Sequence, residues 1–340
     1  MTIQATSEGG ASVRLASRTD VGRVRAANED SCGAFEGEGP ARLLVVADGM
    51  GGHRGGATAS QTAVATIGEI FEEAGTARPA DMLSRAIETA NARIFSMAQA
   101  DPELEGMGTT VVAFLLDDRL RGTVAHVGDS RAYRYRQGRL EALTTDHSVV
   151  AEMHRRGLIS ADEAAVHPRR NEILRSVGVL PEVEVETTSA EVVAGDRILL
   201  CSDGLSGVLS DEEIAAVIQS ELPEDAVETL IRLANERGGP DNITVQVLSV
   251  PASASEGDPE ATAPVELSEV GVQAIEARRR SRIRARRIAL VLAAAALASS
   301  GLFLAWQLVH APRAAAPPAA EEGLGPLEGE PEGLRQGIPH

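Results

Sequence analysis

The 340 residues are enough for one large domain or two ordinary ones, and 43% apolar residues support a real core. Only 2% are aromatic, so Ala, Val, Leu and Ile must supply that core. A formal net charge of −18 excludes broad nucleic-acid binding, because a phosphate backbone needs a basic surface. Two cysteines, Cys32 and Cys201, are too few for a disulfide framework or a zinc site and read as core thiols.

Residues 1–12 are small and polar, lack the apolar run of a signal peptide, and read as a flexible N-terminus. Residues 13–250 read as one globular unit. Short runs rich in Val, Leu and Ile predict strands at Leu43–Ala47, Thr110–Leu116, Thr123–Val127, Arg197–Cys201 and Ile243–Val250. Between them, Leu83, Ile87, Ala90, Ile94 and Met97 recur at spacings of three and four, one apolar stripe of a helix over 79–99 that begins at Pro79. Ser210 followed by Asp211, Glu212 and Glu213 reads as an N-cap and the acidic first turn of another helix.

The composition changes at Pro251. Residues 251–287 read as an acidic linker that ends in a basic juxtamembrane segment: 251–277 carry six acids and no base, and 278–287 hold seven arginines in ten residues. Residues 288–309 contain no charge. As a helix they span roughly 33 Å, enough for a hydrocarbon core of about 30 Å, and Trp306 suits its far interface. They are expected to form a transmembrane helix, followed by a disordered tail over 310–340. The arginines precede the span, and the tail has two arginines against five glutamates, so the expected topology is a single pass with the globular unit cytoplasmic and the tail outside.

Within the globular unit, acidic residues recur where strands meet turns. They lie in "NEDS" (Glu29, Asp30), "ADGMGG" (Asp48), "HVGDSR" (Asp129), "CSDGL" (Asp203) and "GGPDNIT" (Asp241). Each alone reads as a turn cap. Gathered at one sheet end they would repel, by roughly 4 kcal/mol for two charges about 4 Å apart at an effective dielectric of 20. Cations would remove that penalty, and all-oxygen donors suit magnesium or manganese. The stretch "VVADGMGGHRGG" places five glycines and His53 after Asp48. Either it is a flexible turn, or the backbone there must closely approach something.

Seven segments, in order, carry a resemblance: "VGRVRAANEDS", "VVADGMGGH", "GMGTTVVA", "AHVGDSRAYRYRQGRLEALTTDHS", "HPRRNEILRSVG", "LLCSDGL" and "GGPDNITV". Over residues 13–250 the chain resembles the metal-dependent protein phosphatases, the PPM or type 2C serine/threonine phosphatases, in their bacterial, membrane-anchored form. The resemblance implies an α+β fold, a four-layer α-β-β-α sandwich of two antiparallel sheets flanked by helices, here with the C-terminal transmembrane helix added. It implies two divalent cations, manganese or magnesium, and a weaker third. Asp48 would bridge the two, Asp203 and Asp241 would hold the first, and the Gly49 carbonyl would help hold the second. Asp30 and Glu29 would act near the second, largely through water.

The resemblance further implies that Arg25 binds phosphate and that a metal-bridging water attacks phosphorus in line. His53 is a candidate general acid, displaced by three residues from the histidine of eukaryotic members, where Met50 stands here. Asp129 matches a ligand of the third cation, but Gly207 replaces an aspartate that eukaryotic members place there. Residues 144–180 match a flap beside the site, in which His147, His167, Arg169 and Arg170 either touch substrate or are structural. The implied function is removal of phosphate from serine and threonine of proteins, opposing bacterial Ser/Thr kinases, which would themselves be among the phosphorylated partners. A phosphatase-like receptor and a small-molecule phosphatase are the alternatives.

Overall fold

The computed structural model describes residues 2–4, 13–37, 41–52, 54–74 and 77–251. In chain order the first half runs β1 (Thr2–Gln4), β2 (Arg14–Asp20), β3 (Ser31–Glu36), β4 (Arg42–Ala47), β5 (Gly49–Met50), α1 (Gly55–Glu73), α2 (Pro79–Ala100), β6 (Gly108–Thr109), β7 (Val111–Leu116) and β8 (Arg121–Val127). The second half runs β9 (Arg131–Arg136), β10 (Arg139–Ala142), α3 (Val149–Arg155), α4 (Ala161–Ala165), β11 (Glu186–Glu191), β12 (Arg197–Cys201), α5 (Asp203–Ser206), α6 (Asp211–Ser220), α7 (Pro223–Glu236) and β13 (Ile243–Ser249).

The strands form a six-stranded sheet, order β1-β2-β13-β12-β9-β10, and a five-stranded sheet, order β11-β8-β7-β4-β3, both antiparallel. The sequence shows why they stack. Every residue of β4 is buried, which a strand tolerates only when both faces are covered. Successive side chains point to opposite faces. Leu44 and Val46 meet Val112, Phe114, Ile198, Leu200 and Leu248 between the sheets. Leu43 and Val45 meet Ala59, Ala63 and Ile67 of α1 and Leu83, Ile87 and Ile94 of α2 on the outer face. The other sheet repeats the scheme. Leu199, Val245 and Val247 pack against Ile214 and Ile218 of α6 and Leu230 and Ile231 of α7. Truncating such a fully buried Leu or Ile to Ala costs about 2–5 kcal/mol.

The expected sandwich of two antiparallel sheets between helices is therefore the architecture observed. The predicted strand Arg197–Cys201 has those bounds, and the other four predicted strands are found within two residues at either end. The predicted helix over 79–99 runs Pro79–Ala100, but Met97, assigned to its buried stripe, is 37% exposed in the last turn. Ser210 caps α6 in a reciprocal capping box with Glu213. Cys201 is fully buried with its thiol pushed up to about 12 by desolvation, as a core thiol should be, while Cys32 is half-buried. The expected transmembrane helix, 288–309, lies outside the described residues. Among the described residues, no helix is long and apolar enough to cross a membrane.

Candidate metal centre

Antiparallel topology alone brings the strand-end carboxylates together. In the five-stranded sheet, Asp30 precedes β3, Asp48 follows β4 and Asp129 lies just past β8. The start of one strand and the ends of the others share one sheet edge, because β3 pairs antiparallel with β4, and β7 pairs antiparallel with both β4 and β8. In the six-stranded sheet, the end of β12 lies beside the start of β13, so Asp203 and Asp241 meet at one edge. The two edges meet where Asp30 Oδ2 accepts hydrogen bonds from Ser202 Oγ at 2.8 Å and Thr244 Oγ1 at 2.7 Å.

Electrostatics reports how close the acids are. Burial, with the charges of Asp203 and Asp241 adding to it, pushes Asp30 up to about 7. Burial and the charges of Asp203 and Asp146 push Asp129 up to about 7. Asp48 is held well above the carboxylate range by burial and then by the charges of Asp30, Asp203, Asp129 and Asp241, so it sits in the middle of the group. Asp203 is raised by burial and Asp241, and shares a hydrogen bond with Asp48 that opposes the rise. Two oxygens, Asp30 Oδ1 and Asp203 Oδ1, are buried with no hydrogen-bond partner among the described residues. Buried polar atoms are ordinarily paired, so an orphaned pair in an anionic cluster is what an oxygen-liganded cation site requires.

The turn that carries Asp48 is fixed on three sides. The Asp48 carbonyl accepts from Thr110 N and Thr109 Oγ1, both at 2.8 Å, and its N–H donates to Thr110 Oγ1 at 3.1 Å. Thr110 Oγ1 also bonds Ser130 Oγ at 2.7 Å. The glycines after Asp48 have a physical reason within the fold itself. A Cβ on Gly49 would lie 2.2 Å from the Gly56 carbonyl oxygen and 2.5 Å from that of Glu29, and one on Gly56 would lie 2.0 Å from Glu29 Oε2. The close approach is of the Gly49 and Gly56 backbones to each other and to Glu29.

Asn242 joins the remaining turns. Its Nδ2 donates to the carbonyls of Val21 and Ala27 at 2.9 and 3.0 Å, and its Oδ1 accepts from Glu29 N at 2.8 Å. The loop it gathers carries Arg25, whose Nη2 donates to Asp241 Oδ2 at 2.8 Å. Arg25, Asp129, Asp203 and Asp241 line one side of a cleft of about 550 Å³. The other side is the segment with α3 and α4, which contributes Ser148, His154 and Arg170.

Several expected residues are placed differently. His147 is 8% exposed and does not face the cleft; its ring contacts Gly128, Glu186 and His126, so it is not positioned to touch substrate. Arg169 points to Glu172 on the surface, and the His167 ring accepts the Arg169 N–H. Of that group only Arg170 reaches the cleft. His53 lies outside the described residues. At Gly207, a Cβ would stand 2.8 Å from the Asp203 carbonyl oxygen, which Gly207 N already contacts at 2.7 Å, so this turn leaves little room for an aspartate. The sequence reading assigned no role to Thr109, Thr110, Ser130, Ser202, Asn242 or Thr244. All six lie inside the quoted motifs, and Ser130, Ser202 and Asn242 directly flank an acid.

Comparison with known proteins agrees with the geometry. Residues 22–244 match the family model "Protein phosphatase 2C". The serine/threonine phosphatase stp of Listeria welshimeri is 41% identical over 234 residues, covering 67% of this chain and 92% of that protein. The serine/threonine protein phosphatase PstP of Mycobacterium tuberculosis is 42% identical over 238 residues, covering 70% of this chain and 45% of PstP. The crystal structure of a PstP catalytic domain in complex with 2 manganese ions superposes with a TM-score of 0.64 at 40% identity, covering 70% of this chain and 98% of that one. The chain belongs to the protein phosphatase 2C family.

Proposed function

We propose that this chain is a metal-dependent protein serine/threonine phosphatase whose cations, manganese or magnesium, are held by Asp30, Asp48, Gly49, Asp129, Asp203 and Asp241. The observation that carries the reading is the meeting of five carboxylates from both sheets, two of them with orphaned buried oxygens, beside a cleft that Asp129, Asp203 and Asp241 line together with Arg25. Divalent cations held by these residues would supply neutralisation of the cluster and of the phosphoryl oxygens, and would make hydroxide available near neutral pH.

The protein's own residues supply position and charge. Arg25 offers a planar fork matched to a phosphate dianion. Its pairing with Asp241 holds the guanidinium at the rim of the carboxylate cluster, where a phosphate would be bound. Ser202 and Thr244 aim Asp30 by holding one oxygen and leaving the other toward the cluster. Thr109 and Thr110 hold the Asp48 backbone so that its carboxylate does not swing. The open cleft beside the cluster has room for an extended phosphorylated segment. Leaving-group protonation by His53 belongs to this proposal and not to the described geometry.

The same proposal places the enzyme at the cell membrane. The uncharged run 288–309, with seven arginines immediately before it, supports a single pass with the phosphatase unit on the cytoplasmic side. Phosphoproteins there, including the Ser/Thr kinases it would oppose, are the substrates. The test is turnover of a phosphothreonine peptide by the full chain with manganese and with chelator. Activity that needs manganese supports the reading, and undiminished activity in chelator removes it. A reporter fused after His340 that is active only outside the cell tests the topology.

A further inference from the structure

The segment that walls the cleft, residues 149–176, joins the sandwich at two points, and both are bonded to turns that carry candidate ligands. At its return, Val177 exchanges backbone hydrogen bonds with Thr109 at 2.8 and 3.0 Å, and Thr109 Oγ1 in turn donates to the Asp48 carbonyl. At its departure, His147 N donates to the Gly128 carbonyl at 2.9 Å, and Gly128 N donates back to His147 Nδ1 at 3.2 Å. Gly128 immediately precedes Asp129. Leu174 N closes the neck of the segment by donating to the His147 carbonyl at 2.7 Å.

The His147 ring is stacked on His126, centroids 4.6 Å apart and planes 21° apart, and its Nε2 lies 3.3 Å from Glu186 Oε2. One ligand atom from each of His126, His147 and Glu186 falls within 4.8 Å of the others, a spacing that suggests a second metal site. The hydrogen bonds speak against one. Because Nδ1 accepts from Gly128, it must carry the lone pair, and Nε2 then carries the hydrogen and donates to Glu186. A metal at Nε2 would have to expel that proton while Nδ1 remained an acceptor. His126 Nε2 is likewise engaged, with the Thr145 carbonyl at 2.9 Å.

We propose that His147 is a positioning residue of the phosphatase reaction: its neutral ring, bonded to Gly128, sets the stance of the segment 149–176 over the cleft in which a phosphoprotein docks. The inference rests on the phosphatase reading above. The groups that face the ring agree with a neutral state. Burial, His126 and Arg175 press its pKa below the ordinary histidine value, against the opposing pull of Glu186.

The test uses the full chain with manganese and two substrates, a phosphothreonine peptide and a small aryl phosphate. His147→Gln puts no acceptor at the Nδ1 position, whereas His147→Asn places its amide oxygen close to it. His147→Gln is expected to raise KM for the peptide by roughly tenfold, with hydrolysis of the aryl phosphate nearly unchanged. His147→Asn is expected to restore the peptide KM. Equal loss on both substrates, equal behaviour of the two variants, or a zinc equivalent bound by the parent and lost in His147→Gln would overturn the proposal. If His147→Gln fails to fold, His147→Asn decides by itself: a parent-like peptide KM with the Gly128 amide still protected from hydrogen exchange supports the proposal, and a raised peptide KM with aryl phosphate hydrolysis unchanged overturns it. A parent inactive on the peptide at every pH defeats the phosphatase reading itself, whereas an active parent with an unaltered His147→Gln defeats only this inference.

Discussion

The carboxylate edge and the segment that walls it are held by opposite means. At the edge, the turns of Asp48, Asp30 and Glu29 are fixed by buried, neutral side chains: Thr109 and Thr110 on Asp48, Ser202 and Thr244 on Asp30, Asn242 on the loop that ends at Glu29. The walling segment is tied to the sandwich at its two ends, by the backbone bonds of His147 and Val177; between them its side chains pair chiefly in surface ion pairs, Glu152 with Arg155 and Arg156, Arg169 with Glu172 and Arg175 with Glu184, and it leaves Leu158, Val166 and Leu174 exposed. Exposed ion pairs contribute little to stability, while a buried hydrogen bond is costly to break. The difference fits a division of labour: a rigid edge for chemistry that tolerates little displacement, and a loosely held wall that adapts to protein surfaces.

Breaking the edge should therefore do the greatest harm. Asp48→Asn removes the central charge of the cluster and is expected to lower phosphopeptide turnover by several orders of magnitude. The metal-free variant should melt above the metal-free parent, because one repulsive charge has gone. Thr110→Val keeps every carboxylate but strands the Asp48 N–H and the Ser130 hydroxyl. It is expected to cost about 1–3 kcal/mol in denaturant unfolding and to lower kcat measurably.

A gentler probe is pH. Without cations, burial and the neighbouring carboxylates push Asp30 and Asp129 up to about 7, well above an unfolded aspartate at about 4. A raised folded pKa gives stability that is full below the unfolded value and lost as pH rises through the folded one. Metal-free stability from these groups should thus fall between about pH 4 and pH 8. Because a cation needs them ionised, manganese should raise the melting temperature more at pH 8 than at pH 6, as calorimetry can check. The smallest effect is expected in the wall. Arg169→Ala breaks a fully exposed pair and should leave both the melting temperature and aryl phosphate hydrolysis unchanged.

The sequence made the edge legible because an acid at the end of a buried apolar run is unusual, and antiparallel strands then return such ends to one place. What holds the acids was not legible. Thr110, Ser202, Asn242 and Thr244 are short polar residues at strand ends, where each could equally cap its own turn, and only tertiary structure shows Ser202 and Thr244 meeting at Asp30. His147 was ambiguous for a related reason. A histidine among "TTDHS" can touch substrate or serve the fold, and its burial behind the wall favours the second. In α1 the buried face is largely Gly55, Gly56, Ala59, Ser60 and Ala63, too small to write a strong apolar stripe. Its small side chains are required by the close packing of Gly56 on Gly49 and Glu29.

The central claim is that the five acids form a cation site that drives phosphoester hydrolysis. The most direct measurement is calorimetric titration of manganese into the full chain and into Asp48→Asn, with phosphothreonine peptide turnover followed in the same samples. The account predicts two tight equivalents and manganese-dependent turnover in the parent, and loss of both in the variant. Undiminished turnover in Asp48→Asn, or turnover in the parent with no manganese bound, would contradict it.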